Sequence, residues 1–182
     1  GDGRSDLAVY YPGTGRWYIR SMTGAPITFG LAWGFSGCTP VAGDYDGDGK
    51  ADLALFHAAT GKWYIRTLSG KVLALGRQWG FAGCVPVPGD LDADGRADLT
   101  LFHAASGGWF SINLTGEMLL FNFKWGFAGC TPLIGDFNKD GYNDVAAYHQ
   151  PGGKWYIYSP MTVAPLAFVK SWGSSVMPAV KP

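Results

Sequence analysis

Short runs dominated by apolar and aromatic side chains alternate along this chain with clusters of Gly, Asp, Ser and Thr. In one stretch the runs are Asp52-Leu-Ala-Leu-Phe-His57, Trp63-Tyr-Ile-Arg66 and Lys71-Val-Leu-Ala-Leu75, separated by Ala-Thr-Gly and Leu-Ser-Gly turns. A further run, Cys84-Val-Pro-Val-Pro88, leads into an acidic loop. Runs of this length, bounded by turn residues and without a period of about 3.6, predict β-strands and no helices. Leu53 and Leu55 would face one way and Ala54 and Phe56 the other, so the middle strands are apolar on both faces. A sheet buried between two neighbouring sheets has that pattern.

The pattern recurs at an offset of 46, which takes Gly43-Asp44 to Gly89-Asp90 and Gly135-Asp136. The same offset aligns Trp17, Trp63, Trp109 and Trp155, then Trp33, Trp79 and Trp125, then Cys38, Cys84 and Cys130, then Pro40, Pro86, Pro132 and Pro178. Internal periods of this size mark arrays of one supersecondary unit. The expected architecture is an all-β, β-propeller-like array of four blades, each of about four antiparallel strands, within a single repeat domain spanning residues 1–182. The repeats run over about 1–42, 43–88, 89–134 and 135–182. The last copy is degenerate: Trp172 falls one residue late, and Ser174-Ser-Val-Met177 replaces the Phe, Gly and Cys of the W-G-F-x-G-C segment. Pro178-Ala-Val180 matches the strand before a loop, whereas the first copy begins inside its loop and lacks that strand. Joined end to end, the termini complete a shared blade, within one molecule as a closed ring or between molecules as a fibre.

The acidic loops carry the chemistry. Asp44-Tyr-Asp46-Gly-Asp48-Gly-Lys50-Ala-Asp52 places side-chain oxygens at loop positions 1, 3, 5 and 9, with Gly49 at position 6 for a sharp turn and the Lys50 backbone carbonyl at position 7. The second copy repeats this with Asp90, Asp92, Asp94, the Arg96 carbonyl and Asp98. The third uses Asp136, Asn138, Asp140, the Tyr142 carbonyl and Asp144. Calcium takes about six to eight oxygen ligands, and alternating Asp residues in a tight loop converge several carboxylates on one point. About three Ca2+ ions are therefore expected, the third held less strongly because an amide replaces a carboxylate. All thirteen Asp residues fall in these loops or in the truncated first one, leaving Glu117 as the other acid. Carboxylates crowded in this way repel one another, so metal-free loops should be strained or mobile. The first copy keeps Asp2, Gly3 and Asp6, and with Pro182 in place of the first ligand its site should be empty or weak.

The stretches G-D-Y-D-G-D-G-K-A-D-L and T-G-K-W-Y-I resemble the FG-GAP and VCBS-type repeats of bacterial surface proteins and integrin propellers. The resemblance implies a calcium-stabilised β-propeller placed outside the cell, with roles in adhesion, glycan binding or scaffolding. The chain departs from the family at the Cys of W-G-F-x-G-C, where Asp is common, and at the His of L-F-H, where Arg is common.

Composition narrows the remaining classes. The net charge is zero and 15% of residues are charged, so no global field favours nucleic acid or an anionic membrane. No apolar run reaches the roughly 18 residues of a membrane span. The chain opens on Gly1 inside a loop, which reads as a processed product or an excerpt, secreted or surface-exposed. Cys38, Cys84 and Cys130 sit at equivalent places in successive repeats, which favours small buried residues over disulfides. His57, His103 and His149 stand at strand ends before turns and read as structural. The eight Trp residues pack between blades or, as platforms with Tyr, stack on sugar rings. Asn113-Leu-Thr115 is a glycosylation sequon in a turn. No nucleophile elbow, H-E-x-x-H or phosphate loop is present, and a loop repeated identically suits structure better than one asymmetric catalytic site. A non-catalytic, calcium-stabilised structural or adhesive repeat protein with complementary ends for self-assembly into a fibre is expected, with a calcium-dependent lectin as the alternative.

Overall fold

The computed structural model describes residues 5–171. The degenerate segment around Trp172, the strand expected at 178–180 and the start of the truncated first loop lie outside them. The first sheet holds β1 (Leu7–Tyr11), β2 (Arg16–Arg20) and β3 (Pro26–Ala32). The second holds β4 (Cys38–Pro40), β5 (Leu53–His57), β6 (Lys62–Arg66) and β7 (Val72–Gln78). The third holds β8 (Cys84–Pro86), β9 (Leu99–His103), β10 (Gly108–Ile112) and β11 (Met118–Lys124). The fourth holds β12 (Cys130–Gly135), β13 (Asp144–His149), β14 (Lys154–Ser159) and β15 (Ala164–Ser171). Every pairing is antiparallel between neighbours in sequence. The strand before each acidic loop thus pairs into the sheet after it, and the loop joins the first two strands of that sheet.

The last strand of the second sheet runs beyond the apolar run expected to form it, to Gln78 rather than Leu75. The register against β6 shifts between Trp63 and Tyr64, so one residue of β7 is bulged out and pairing resumes at Arg77. That residue is Gly76, at φ +71°, a left-handed conformation that glycine adopts without a Cβ clash.

The two-faced burial expected of the middle strands is present. Leu53 and Leu55 pack with Trp17 and Ile19 of the preceding sheet. Ala54 and Phe56 pack with Leu99 and Leu101 of the following one, and Phe102 and Trp109 with Val145 and Ala147. Trp17, Trp63 and Trp109 are buried, and each indole Nε1 donates to the carbonyl of the W-G tryptophan at the end of its own sheet, at 2.8, 2.8 and 2.7 Å. Those partners reach onward: Trp33 Nε1 donates to Leu53 O at 2.9 Å and Trp79 Nε1 to Leu99 O at 2.7 Å. One tryptophan pins the sheet's end to itself and the next pins it to its neighbour. Trp17, Trp63 and Trp109 are therefore not available as platforms for sugar, which corrects that part of the lectin expectation for these three. Cys38, Cys84 and Cys130 are buried and unpaired, and burial pushes their thiols up, away from reactivity.

The first sheet differs at one face. Leu7 and Val9 are 54% and 61% exposed, whereas their equivalents Leu53, Leu55, Leu99 and Leu101 are at most 2% exposed beneath the sheet before them.

Gly61 fixes the turn that aims each W-G segment. It sits at φ +65°, and a Cβ there would collide with the Gly80 carbonyl oxygen, a backbone atom that has no way to yield. Gly15 and Gly107 repeat this close approach against the carbonyls of Gly34 and Gly126. Gly61→Ala is expected to destabilise the protein by about 2 kcal/mol or more, a fall in Tm of roughly 4–8 °C. Gly49→Ala, with a similar φ of +79° but open space around it, should cost less, and equal losses in thermal melts would contradict the steric account.

Candidate metal centre

Each acidic loop is held by its own first aspartate. Asp44 Oδ1 accepts from the Gly47 amide at 2.7 Å and the Asp48 amide at 3.2 Å, and Oδ2 from the Gly49 amide at 2.7 Å. Asp136 binds its loop amides in the same way, and Asp90 accepts from the amides of Asp94 and Gly95. The aspartate at position 5 accepts from the amide at position 7: Asp48 from Lys50, Asp94 from Arg96 and Asp140 from Tyr142, at 2.9, 2.8 and 2.9 Å. Glycine is required at position 6, where Gly49, Gly95 and Gly141 have φ of +79°, +83° and +93°. At position 4 the left-handed conformation falls on Gly47 in the first loop but on Ala93 and Lys139 in the others, so those two loops store backbone strain.

The aspartate at position 9 closes the loop onto the sheet. Asp52, Asp98 and Asp144 are buried, and each spends Oδ2 on the amide of the residue after the first aspartate: Tyr45 at 2.9 Å, Leu91 at 2.7 Å and Phe137 at 2.8 Å. The other oxygen of Asp98 is buried with no hydrogen-bond partner, as is Oδ1 of Asp46, whereas the Ser159 hydroxyl lowers the charge cost at Asp144. A buried carboxylate oxygen without a donor is costly, and a cation removes the cost.

Two loops gather carboxylates into a cluster able to hold an ion. Oxygens of Asp44, Asp46 and Asp48 lie within 4.8 Å of one another in the first, and those of Asp90, Asp92 and Asp98 in the second. Asp52 and Asp94 stand outside these trios. Among the described residues the third loop, with Asp136, Asp140 and Asp144, forms no such trio, and its Asn138 directs Nδ2 to Asp140 Oδ2 at 2.7 Å. The donor set is all oxygen, hard and anionic, and fits calcium in the first two loops; Asp98 Oδ1 is the oxygen such an ion would satisfy. Lys50, Arg96 and Tyr142 occupy position 7, where their carbonyls would complete the shell.

The electrostatics agree. Burial pushes the Asp52 carboxyl up to about 6; the Tyr45 amide opposes this, and Asp46, Asp44 and Asp48 add to it. Burial likewise pushes Asp98 up to about 8 against the pull of the Leu91 amide, with Asp92, Asp90 and Asp94 adding to it. Asp90 and Asp144 are raised by burial as well. Asp48 is lowered by its hydrogen bond with Lys50.

Several contacts around the loops have no signature within one repeat. The loops are tied to each other: the Ala97 amide donates to Asp44 O at 2.5 Å, and the Asn143 amide to Asp90 O at 3.0 Å. Lys71 Nζ lies 3.7 Å from Asp46 Oδ2. Asn113 Nδ2 donates to Asp92 Oδ2 at 3.3 Å and to Glu117 Oε2 at 3.4 Å, so the sequon amide is 8% exposed and already engaged. Offset comparison of Lys71 with Glu117, opposite charges at one repeat position, was the available signal. His57 Nδ1 and His103 Nδ1 are spent on Thr60 and Ser106 at 2.7 and 2.8 Å, inside their turns.

Comparison with known proteins agrees with this layout. Residues 1–55 match the FG-GAP-like repeat family. The aspartate loop of residues 44–52 lies inside that FG-GAP-like segment. No curated protein matches the chain. Among solved structures, a protein of unknown function from Bacteroides caccae is similar at 12% identity and a TM-score of 0.57, covering 91% of this chain and 57% of its own. The virginiamycin B lyase of Staphylococcus aureus is similar at 14% identity and a TM-score of 0.55, covering 90% of this chain and 52% of its own. At these identities the likeness is one of fold, an all-β, propeller-like row of sheets, and the chain spans just over half the length of each.

The raised carboxyls set a pH dependence for the metal-free protein. A folded-state value above the ordinary 3.8 means that the proton stabilises the fold; this contribution is complete below about 4 and is lost as pH rises through about 6 for Asp52 and about 8 for Asp98. Melting in chelator should therefore show Tm falling from pH 5 to pH 9. A Tm that climbs over this window would contradict the assignment.

Proposed function

We propose that this chain is a non-catalytic repeat module whose aspartate loops bind calcium and thereby lock each sheet, and that it serves as a structural or adhesive array outside the cell. The observation that carries the reading is Asp98, fully buried, one oxygen committed to the Leu91 amide and the other without a donor beside Asp90 and Asp92. A carboxylate in that position calls for a cation rather than a substrate. Recurrence of the loop supports structure over catalysis, since chemistry needs a single asymmetric centre. Extracellular calcium modules bind at about 0.1–1 mM, which suits exposed loops carrying a neutral surface around them.

On this reading the four sheets are blades of a propeller-type array. The uncovered Leu7 and Val9 receive a further sheet of the same kind from a second copy of the chain, as Leu53 and Leu55 receive the first sheet. End-to-end growth follows from repeating that contact.

Calcium at about a hundred times its Kd should raise Tm by roughly 5–10 °C per loaded loop. Asp98→Asn should remove most of the second loop's share while leaving the metal-free protein as stable or more so, because it relieves a buried repulsion. An identical Tm in calcium and chelator would sink the reading. For association, sedimentation velocity should show wild-type protein growing with concentration and Val9→Glu remaining monomeric; monomers in both would remove the end-to-end model.

A groove of about 620 Å3 favours a second reading, carbohydrate binding. Phe81, Phe110 and Phe121 line it, Phe121 being 68% exposed, with Asn122 and Lys124 beside them. Aromatic faces bordered by polar groups suit a sugar ring better than the buried tryptophans do.

A further inference from the structure

The loops differ in what the neighbouring turn presents to them. In the second sheet the turn between β6 and β7 brings Lys71 to 3.7 Å from Asp46, the position-3 ligand of the first complete loop. In the third sheet the equivalent position is Glu117, and the same turn holds Asp92, the corresponding ligand, through Asn113. Asn113 is itself fixed: its Oδ1 accepts from the Glu117 amide at 3.0 Å and from Thr115 Oγ1 at 2.7 Å. One loop therefore faces a tethered ammonium, the other a braced amide and a second carboxylate.

We propose that this turn position ranks the loops, so that the loop of residues 90–98 takes up calcium first and the loop of residues 44–52 later, Lys71 acting as an internal competitor for Asp46. The inference rests on the calcium reading above and adds an order to it. An ion entering the first loop must share Asp46 with a cation already beside it; an ion entering the second meets three converging carboxylates, the unmatched Asp98 oxygen and the added negative potential of Glu117. Lys71 is 68% exposed at its side chain, so its pairing is weak and screened by salt. It tunes affinity without deciding whether the loop folds.

Calorimetric titration of the full chain with calcium chloride tests the order. Asp98→Asn and Asp48→Asn identify the loops; Asp98→Asn should weaken or remove the tightest class of site, whereas Asp48→Asn should leave it intact. Lys71→Glu should tighten the class that Asp48→Asn weakens by about tenfold, and Glu117→Lys should weaken the class that Asp98→Asn affects by about tenfold, both effects shrinking in about 0.5 M salt. Unchanged melting in chelator confirms that the two exposed substitutions leave the fold intact. Loss of the tightest class in Asp48→Asn, or charge swaps that leave every constant unchanged, would overturn the ranking alone. Absence of calcium binding in every variant would overturn the calcium reading with it.

Discussion

A carboxylate buried where the acidic loop meets the sheet constrains everything around it. Asp98 cannot leave, because its Oδ2 holds the Leu91 amide and so fixes the return of the loop to β9. Nor is it comfortable as an isolated charge, since one oxygen has no donor and two further aspartates approach it. The fold tolerates this in the metal-free state by holding the proton to unusually high pH. The return of each of the three loops to its sheet is thus fixed by the equivalent side chain, Asp52, Asp98 or Asp144.

The second organising element is the way sheets are joined. In the first two repeats the two tryptophans take different partners. The buried one donates to its own sheet's last carbonyl, and the half-buried one to the central strand of the next. The hydrogen bonds give direction to an interface whose driving force is apolar burial of Leu, Ala and Phe on both faces. Leu7 and Val9, the equivalents of the buried Leu53 and Leu55, are exposed on the corresponding face of the first sheet.

Much of this was legible because repetition multiplies weak signals. The two-faced apolar strands, position-6 glycines and buried cysteines follow from spacing, and the structure places them as expected. The spacing of Asp44 to Asp52 located the loops but not the division of labour inside them: which oxygen goes to an amide and which is left over depends on backbone curvature that residue types do not record. Tryptophan faces were similarly ambiguous, since an aromatic strand residue suits a core or a ligand platform equally, and only the neighbouring sheet decides for Trp63. Lys71 and Glu117 looked like ordinary turn charges until the turn was seen folded over the loop. Asn113 likewise resembled a modification site, although its amide is used inside the protein.

The hydrogen bond from Ala97 to Asp44 O, repeated from Asn143 to Asp90 O, gives the array a ratchet-like phase. The second loop offers a carbonyl from its first residue, Asp90, and consumes one with its eighth, Ala97, so the distance between these points is fixed for its neighbours as well as for itself. A residue inserted in one loop disturbs two repeats. Gain or loss of a whole 46-residue unit, by contrast, leaves every donor facing an acceptor. Arrays of this kind should therefore vary in length by complete repeats while their loops stay constant in size.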